Sequence, residues 1–150
     1  MTDAGDLKII LTRVFDGPRA LIYKAWTEKK YLDQWCAPNG FTIRSSEADF
    51  RVGGAWQVLM IAPNGEPFPV RGIYREIVPN ELILQTHGWV EDDGSRPHET
   101  VLTVRFADEG SGTKVTLEQG NFKSVESREG HRGGWSECLD HLAELLTKEK

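Results

Sequence analysis

Residues 49–65 read DFRVGGAWQVLMIAPNG, and this stretch contains three signals that together predict the fold. From Ala55 to Ala62 the chain is an alternating, mostly apolar run, which indicates a β-strand. Gly53-Gly54 comes directly before the run and permits a bulge or a sharp bend where the strand begins. Pro63-Asn64-Gly65 comes directly after it and is typical of a tight turn. We therefore predict a strand that enters a bent sheet and leaves it through a hairpin.

Neither face of this predicted strand is fully polar, because Gln57, Leu59 and Ile61 point to one side of it. Trp56, Val58 and Met60 point to the other side. Tryptophan and methionine are large and adaptable, so they suit the lining of an irregular interior. Gly72 and Gly88 fall inside two later strand patterns, where glycine weakens a strand unless bending or close approach requires it. The sheet should therefore be strongly curved, with Trp56 on its concave side.

The rest of the chain is divided by turn signals into short elements. We predict a strand at 7–15, helices at 18–26 and 28–35, and strands at 41–51, 68–77, 82–90, 98–106 and 113–119. Pro18 is placed to open the first helix, and Thr27 is a candidate N-cap for the second. A hairpin loop is expected at residues 107–112. Because the last six strands are joined by short links, they favour an antiparallel meander.

The C-terminal segment changes to a helical period. In GGWSECLDHLAELLTKEK, residues 133–150, the apolar positions recur at steps of three and four, which indicates one stripe of an amphipathic helix. The stripe consists of Trp135, Cys138, Leu139, Leu142, Leu145 and Leu146. Gly133-Gly134 is expected to loosen the start of the helix or to lie just before it. The whole pattern predicts an α+β fold, with one face of the sheet covered by this helix and the other in water.

Length and charge narrow the functional classes. A chain of 150 residues suits one domain, here taken as 1–150. The net charge of −5, with no basic stripe, argues against nucleic-acid binding. The N-terminal sequence is acidic and polar, and no apolar stretch approaches the roughly 18 residues that a membrane span needs. Cys36 and Cys138 are far apart in sequence and form no disulfide or zinc pattern, so we expect a cytoplasmic protein with reduced thiols.

Four motifs, in order along the chain, resemble one known family. They are VFDGPRALIYKAWTEKKYLDQW at 14–35, the long stretch DFRVGGAWQVLMIAPNGEPFPVRGIYREIVPNELIL at 49–84, the segment 72–79 inside it, and GGWSECLDHLAELL at 133–146. Together they resemble the single-domain members of the SRPBCC, or START-like, superfamily. Within it, they are most similar to homologues of the activator of the heat-shock-protein-90 ATPase. The resemblance covers about residues 7–147.

The resemblance implies a helix-grip fold, in which a curved seven-stranded antiparallel sheet wraps around the long C-terminal helix, with two short helices after the first strand. It also implies a cavity between sheet and helix, since members of the superfamily mostly bind hydrophobic small molecules or lipids. Some members catalyse cyclisation, dehydration or hydrolysis. The eukaryotic namesake carries a second, N-terminal co-chaperone domain that has no counterpart in this sequence, which argues against a chaperone-activating role.

In a helix-grip fold, the cavity lining comes from inward strand positions and from the helix stripe. The candidate ligand-binding residues are Trp35, Trp56, Val58, Met60, Tyr74, Leu84, Thr86, Leu102, Trp135, Cys138 and Leu142. The alternative is that these residues simply pack a solid core. An empty cavity of about 300 Å³ would cost roughly 7 kcal/mol at about 24 cal/mol per Å³. Such a cavity should therefore be hydrated, occupied by a ligand or filled by side chains.

Polar residues give a weaker signal. His87 and His98 fall at the two ends of a predicted strand pair, where they are either a base or polar anchor, or simply exposed. Glu99 points away from His98, so no metal site is expected, and no cofactor motif is present. His141 is expected at the helix surface. Catalytic residues stay unassigned, although His87 or Glu76 would be the polar group if the chain is an enzyme.

Three functional hypotheses follow from these observations. The preferred one is binding of a small hydrophobic molecule or lipid in the grip. The second is an enzyme of cyclase or hydrolase type acting on such a molecule. The third is an interaction protein with a chaperone partner, which an exposed apolar patch of a few hundred Å² would indicate.

Overall fold

The computed structural model describes residues 7–89 and 99–148. Within them the elements follow in the order β1 (Ile9–Phe15), α1 (Arg19–Thr27), α2 (Lys29–Trp35), β2 (Thr42–Ala48), β3 (Ala55–Ile61), β4 (Pro67–Val78), β5 (Leu82–Trp89), β6 (Thr100–Glu109), β7 (Gly112–Gly120) and α3 (Val125–Lys148). The sequence of elements confirms the α+β, helix-grip expectation, with two short helices after the first strand and a long helix at the end.

The strands form one curved sheet in the order β1-β7-β6-β5-β4-β3-β2. Every neighbouring pair is antiparallel, and β2 to β7 form a continuous meander. The first strand pairs with the last one, so β1 and β2 are the two edges. The meander follows from the short links between consecutive strands, which leave each strand next to its neighbour in sequence.

The core lies between one face of the sheet and the helices. On β7 the buried residues alternate with exposed ones, and Val115 and Leu117 are fully buried. The predicted α3 stripe is buried at Cys138, Leu139, Leu142, Leu145 and Leu146. On the opposite face of the sheet, Ile10 and Val14 of β1 are exposed. This is the one-sided burial that the sequence predicted.

Gly53 and Gly54 allow the bend that the sequence indicates before β3. Gly53 has a positive φ of 86°, a conformation that other residues rarely adopt. A Cβ on Gly54 would lie 1.9 Å from the carbonyl oxygen of Asp49. The two glycines also bond to β4, because Gly53 N–H donates to Tyr74 O and Tyr74 N–H donates to Gly54 O. The bend is therefore fixed both by backbone conformation and by pairing.

Three local predictions are wrong. Strands β6 and β7 run through the expected loop at 107–112, so their turn is confined to Gly110 and Ser111. Glu28, not Thr27, is the N-cap of α2, because the Thr27 hydroxyl donates back to Tyr23 O instead.

The third wrong prediction concerns the start of α3. The helix begins at Val125, so Gly133 and Gly134 lie inside it and not before it. Every residue from 125 to 134 is exposed or half-buried. This part of the helix therefore has no apolar stripe from which a helix could be predicted. Among the described residues, no helix is both long and apolar enough to cross a membrane.

Candidate ligand site between the sheet and the C-terminal helix

A cluster of aromatic rings occupies the centre of the grip. The ring of Trp26 lies 4.6 Å from Trp35 and 5.8 Å from Phe106, both edge-on, and stacks at 6.5 Å on Trp135 of α3. Such edge-on and offset contacts add to the stability that burial alone gives. The Trp35 indole donates to Ala25 O at 2.9 Å, so its polar atom is satisfied inside the core. Side chains therefore fill the part of the grip where the two short helices meet α3.

A second group of rings continues the cluster towards β4. Tyr23 contacts Phe106 at 5.4 Å and Phe50 at 6.2 Å, and Phe50 contacts Tyr74 at 5.1 Å. Burial, with smaller contributions from Cys36 and Tyr23, raises the pKa of Tyr74 to about 12. Burial also raises the pKa of Tyr23. Both phenols are therefore neutral at physiological pH, and this region is apolar with uncharged hydroxyl groups.

A chain of hydrogen bonds crosses the grip between α3 and the sheet. The Trp135 indole N–H donates to Gln119 Oε1 at 2.8 Å. Gln119 Nε2 donates to Thr100 Oγ1 at 2.7 Å, and Thr100 donates to the backbone oxygen of His87 at 3.0 Å. Gln119 is fully buried, where an unpaired amide would cost about 1–3 kcal/mol. The chain of bonds thus ties α3 to β5, β6 and β7.

Two histidine rings lie beside this chain. The rings of His87 and His131 are 6.0 Å apart, and His87 also lies 5.5 Å from Trp56. Burial, together with the nearby His131, lowers the pKa of His87 to about 3. Burial likewise lowers the pKa of His131, whose Nδ1 lies 2.8 Å from Ser127 O. Both imidazoles are therefore neutral at physiological pH.

Most of the predicted lining residues lie inside the grip. Trp35, Trp56, Met60, Tyr74, Leu102, Cys138 and Leu142 are buried, and Val58 and Trp135 are half-buried. Their burial is equally consistent with a packed core, so their role in ligand binding stays a prediction.

Leu84 and Thr86 are placed differently from the prediction. In β5, Leu84 lies opposite Thr103 and Thr86 opposite the exposed Val101, so both belong to the outer face of the sheet. Their neighbour Ile83 faces inward. The error arose because the run Leu82-Ile83-Leu84 is apolar throughout and does not reveal which residues face inward.

Although Thr86 belongs to the outer face, it is buried and bonded to both β3 and β4. Its hydroxyl accepts from Ile73 N–H at 2.8 Å, and its backbone oxygen accepts from the Trp56 indole at 3.2 Å. Its role in the fold is therefore to join β3, β4 and β5.

The predicted polar residues separate into distinct environments. His87 is buried, so the alternative of an exposed strand-end histidine is wrong for it. Glu76 is exposed, which removes it as a polar group inside the grip. His141 lies at the surface with its Nε2 2.6 Å from Asn39 Oδ1, as expected. His98 lies outside the described residues.

In the described ranges, 7–89 and 99–148, no three His, Cys, Asp or Glu residues lie close enough together to hold a metal ion. The absence of a metal and of a cofactor therefore stays a prediction.

Four residues of the grip were not predicted from the sequence: Trp26, Phe106, Gln119 and His131. One of them, Gln119, had a usable signal. Side chains alternate between the two faces of β7, so Gln119 lies on the same inward face as Val115 and Leu117. The alternation alone therefore predicts that this glutamine is buried in the core. His131 gave no such signal, because residues 125–134 carry no apolar stripe that would predict a helix there.

A separate groove of about 520 Å³ lies on β2, β3 and β4. It includes Glu47, Gln57 and Arg71, which form a row of cross-strand partners on the face opposite Trp56. Gln57 donates to Glu47 at 3.2 Å. The groove also borders Trp56, but its row of side chains is exposed, of mixed charge and on the face of the sheet opposite the predicted site in the grip.

Comparison with known proteins agrees with this architecture. Residues 16–147 match the family described as Activator of Hsp90 ATPase homolog 1-like protein. No curated protein matches the chain.

Several solved structures are similar over almost their whole length. A protein from Chromobacterium violaceum is 31% identical, with a TM-score of 0.84 over 92% of this chain and 95% of that chain. A protein from Nitrosomonas europaea is 25% identical, with a TM-score of 0.81 over 99% and 98%. The AHSA1 protein from Silicibacter pomeroyi is 23% identical, with a TM-score of 0.87 over 95% and 99%, which supports the fold.

Proposed function

Because the chain belongs to the Activator of Hsp90 ATPase homolog 1-like family, whose fold is known for ligand binding, we propose that it binds a small amphipathic molecule between the sheet and α3. The observation that carries the proposal is the composition of the grip, where apolar rings border a set of neutral hydrogen-bonding groups. The apolar part would hold the body of the ligand. The polar part, around Gln119, His87 and His131, would hold its headgroup.

The two halves of α3 suggest how the ligand enters. The second half is fixed by buried leucines, whereas every residue from 125 to 134 is exposed or half-buried. The first half also contains Gly130, Gly133 and Gly134, each of which weakens a helix by about 1 kcal/mol relative to alanine. A large empty cavity is too costly to persist. We therefore expect the first half of α3 to move outward when the ligand binds.

The chemistry of the polar part favours an uncharged headgroup. Gln119, Thr100 and Trp135 carry no charge, and both histidines are neutral near pH 7. On the first half of α3, Arg128 and Arg132 pair with the exposed Glu129. A buried carboxylate without an opposite charge is strongly unfavourable. An alcohol, ester or amide on an apolar chain is therefore the expected class of ligand.

Native mass spectrometry of the protein purified from its host is the first test. A reproducible extra mass, identified after denaturation, would give the chemical class of a bound molecule. The second test is displacement of a fluorescent fatty-alcohol analogue by a fatty alcohol and by the fatty acid of equal chain length. We expect displaceable binding, with the alcohol the stronger competitor.

Two histidines on the same helix provide a matched control. His131→Ala removes a ring that faces the polar part of the grip, and we expect it to weaken binding of the analogue about tenfold, or roughly 1.4 kcal/mol. His141→Ala removes a surface ring and should leave binding unchanged. If neither analogue nor alcohol binds the wild-type protein, the proposal fails.

A catalytic role is the second candidate, and the buried pair His87–His131 is the observation that favours it. A neutral imidazole can act as a general base. An enzyme would be supported if the wild-type protein turns over an ester analogue, and if His87→Gln abolishes turnover while the analogue still binds.

We also propose a cytoplasmic location for the protein, which the two free cysteines support.

A further inference from the structure

The segment that follows α2 lies along the middle of α3. A Cβ on Gly134 would lie 3.5 Å from the Pro38 ring, which is ordinary contact distance. Asn39 N–H donates to Glu137 Oε1 at 2.9 Å. Residues 36–39 are called the strap below. Their contacts hold the strap against one face of α3.

A further bond fixes the strap one turn later. Asn39 Oδ1 lies 2.6 Å from His141 Nε2. The strap thus contacts α3 at positions 134, 137 and 141, which share one face because they are three and four residues apart. Cys138 lies within this span, and Cys36 is the first residue of the strap, at the C-cap of α2.

This packing brings together two cysteines that are more than a hundred residues apart in sequence. Both are free thiols, and the strap contacts at positions 134, 137 and 141 bring Cys36 beside Cys138, which lies between them on α3. Cys36 is half-buried, whereas Cys138 is only 4% exposed. Hydrogen bonding to Cys36, together with burial, raises the pKa of the Cys138 thiol. An oxidant in solution therefore reaches Cys36 first.

We propose that Cys36 and Cys138 form a reversible intramolecular disulfide when the protein meets a peroxide. The Cys36 sulfur attacks one peroxide oxygen, the O–O bond breaks, and Cys36 becomes a sulfenic acid while one water leaves. The Cys138 sulfur then attacks the Cys36 sulfur, the S–O bond breaks, and its oxygen leaves as a second water. Overall, two thiols are oxidised and one peroxide is reduced to two waters. Two molecules of a small thiol such as glutathione reduce the disulfide by exchange, which restores both cysteine thiols and joins the two small thiols as a disulfide.

The contact favours the second step over further oxidation. A thiol held beside a sulfenic acid reacts as if at high local concentration, which offsets the slower chemistry of a thiol with a raised pKa. The resulting bond would join the end of α2 to the middle of α3. It does not depend on whether the grip binds a ligand.

The test uses the full chain, treated with hydrogen peroxide, then unfolded and alkylated without reduction. We expect the wild-type protein to lose both alkylatable thiols together, to lose the mass of two hydrogen atoms, and to remain a monomer. Peptide mapping should show Cys36 linked to Cys138, and dithiothreitol should restore both thiols.

Single serine variants separate the two roles. In Cys138→Ser, the sulfenic acid on Cys36 has no resolving thiol, so dimedone should trap it. In Cys36→Ser, Cys138 should stay reduced at the same peroxide dose. The proposal is overturned if wild-type Cys36 is oxidised alone or links to a second molecule while Cys138 remains alkylatable. The wild-type alkylation result alone decides whether the disulfide forms. The test therefore remains valid if one of the serine variants fails to fold.

Discussion

Replacing Gly72 by alanine tests the close approach of β4 and β5. Gly72 lies opposite Trp56 in the regular β3–β4 pair, two residues before the register shift of the β4–β5 pair between Tyr74 and Glu76. A Cβ there would lie 1.9 Å from the Thr86 backbone oxygen and 2.7 Å from the Trp56 indole nitrogen. The first contact involves backbone, so it cannot be relieved by rotating a side chain. Strand β4 or β5 must therefore move by more than about 1 Å to restore a normal contact distance.

The expected loss of stability has two parts. Forcing an extra carbon into a packed site costs about 1–3 kcal/mol. Moving the Thr86 oxygen also breaks the hydrogen bond from the Trp56 indole, worth about 1 kcal/mol. We therefore expect Gly72→Ala to lower the free energy of unfolding by about 3 kcal/mol. For a chain of this length that is roughly 6–12 °C in Tm.

Gly133→Ala is the matched control. A Cβ on Gly133 has no heavy atom within 4 Å, and the residue lies inside α3. Alanine should therefore stabilise the helix by about 0.5–1 kcal/mol. Urea unfolding followed by tryptophan fluorescence and by circular dichroism measures both variants. If Gly72→Ala is as stable as the wild-type protein, the close approach of the two strands is wrong.

Three further predictions concern the grip and the thiols. Gln119→Leu should cost about 2–4 kcal/mol in urea unfolding, because it removes two buried hydrogen bonds, and adding Trp135→Phe should cost less than in the wild-type background. The lowered pKa of His87 means that protonation favours the unfolded chain. Stability is therefore full above pH 6.5 and falls on acidification, by about 2 kcal/mol between pH 6.5 and 5, and His87→Gln should flatten this slope. Oxidation of Cys36 and Cys138 closes a loop of about a hundred residues, so the guanidinium midpoint should rise by the equivalent of about 2–4 kcal/mol, with no change in Cys138→Ser.

The fold was predictable because its signals are local. The meander follows from alternating strands separated by short turn sequences, and Gly53-Gly54 marks the bend at its entry. The second half of α3 was visible in its apolar stripe. The first half was not, because residues 125–134 are charged or glycine-rich and bury no stripe. A helix that is only half-covered gives only half of the periodic signal.

The site was less predictable because it depends on tertiary contacts. The run Leu82-Ile83-Leu84 did not show which residues of β5 point inward, since all three are apolar and the register is set by pairing with β6. The contact of Cys36 with Cys138 depends on how the strap docks on α3, which no local pattern records. The burial of Gln119 could have been predicted from the sequence, because the alternation of side chains along β7 alone puts this residue on the inward face. Polar residues at inward positions therefore deserve the same weight as apolar stripes when a binding site is sought.

The strap and the loose half of α3 meet at Gly134. Their positions determine whether oxidation of the cysteines affects ligand binding. The strap contacts α3 from Gly134 onward, whereas the other residues that would move on ligand entry precede Gly134. A disulfide at Cys138 would therefore fix the half of the helix that is already held by buried leucines. The glycine-rich turns before it would remain as free to move as in the reduced protein. Oxidation should thus add stability without closing the grip. Ligand binding in the grip and disulfide formation can therefore be tested independently of each other.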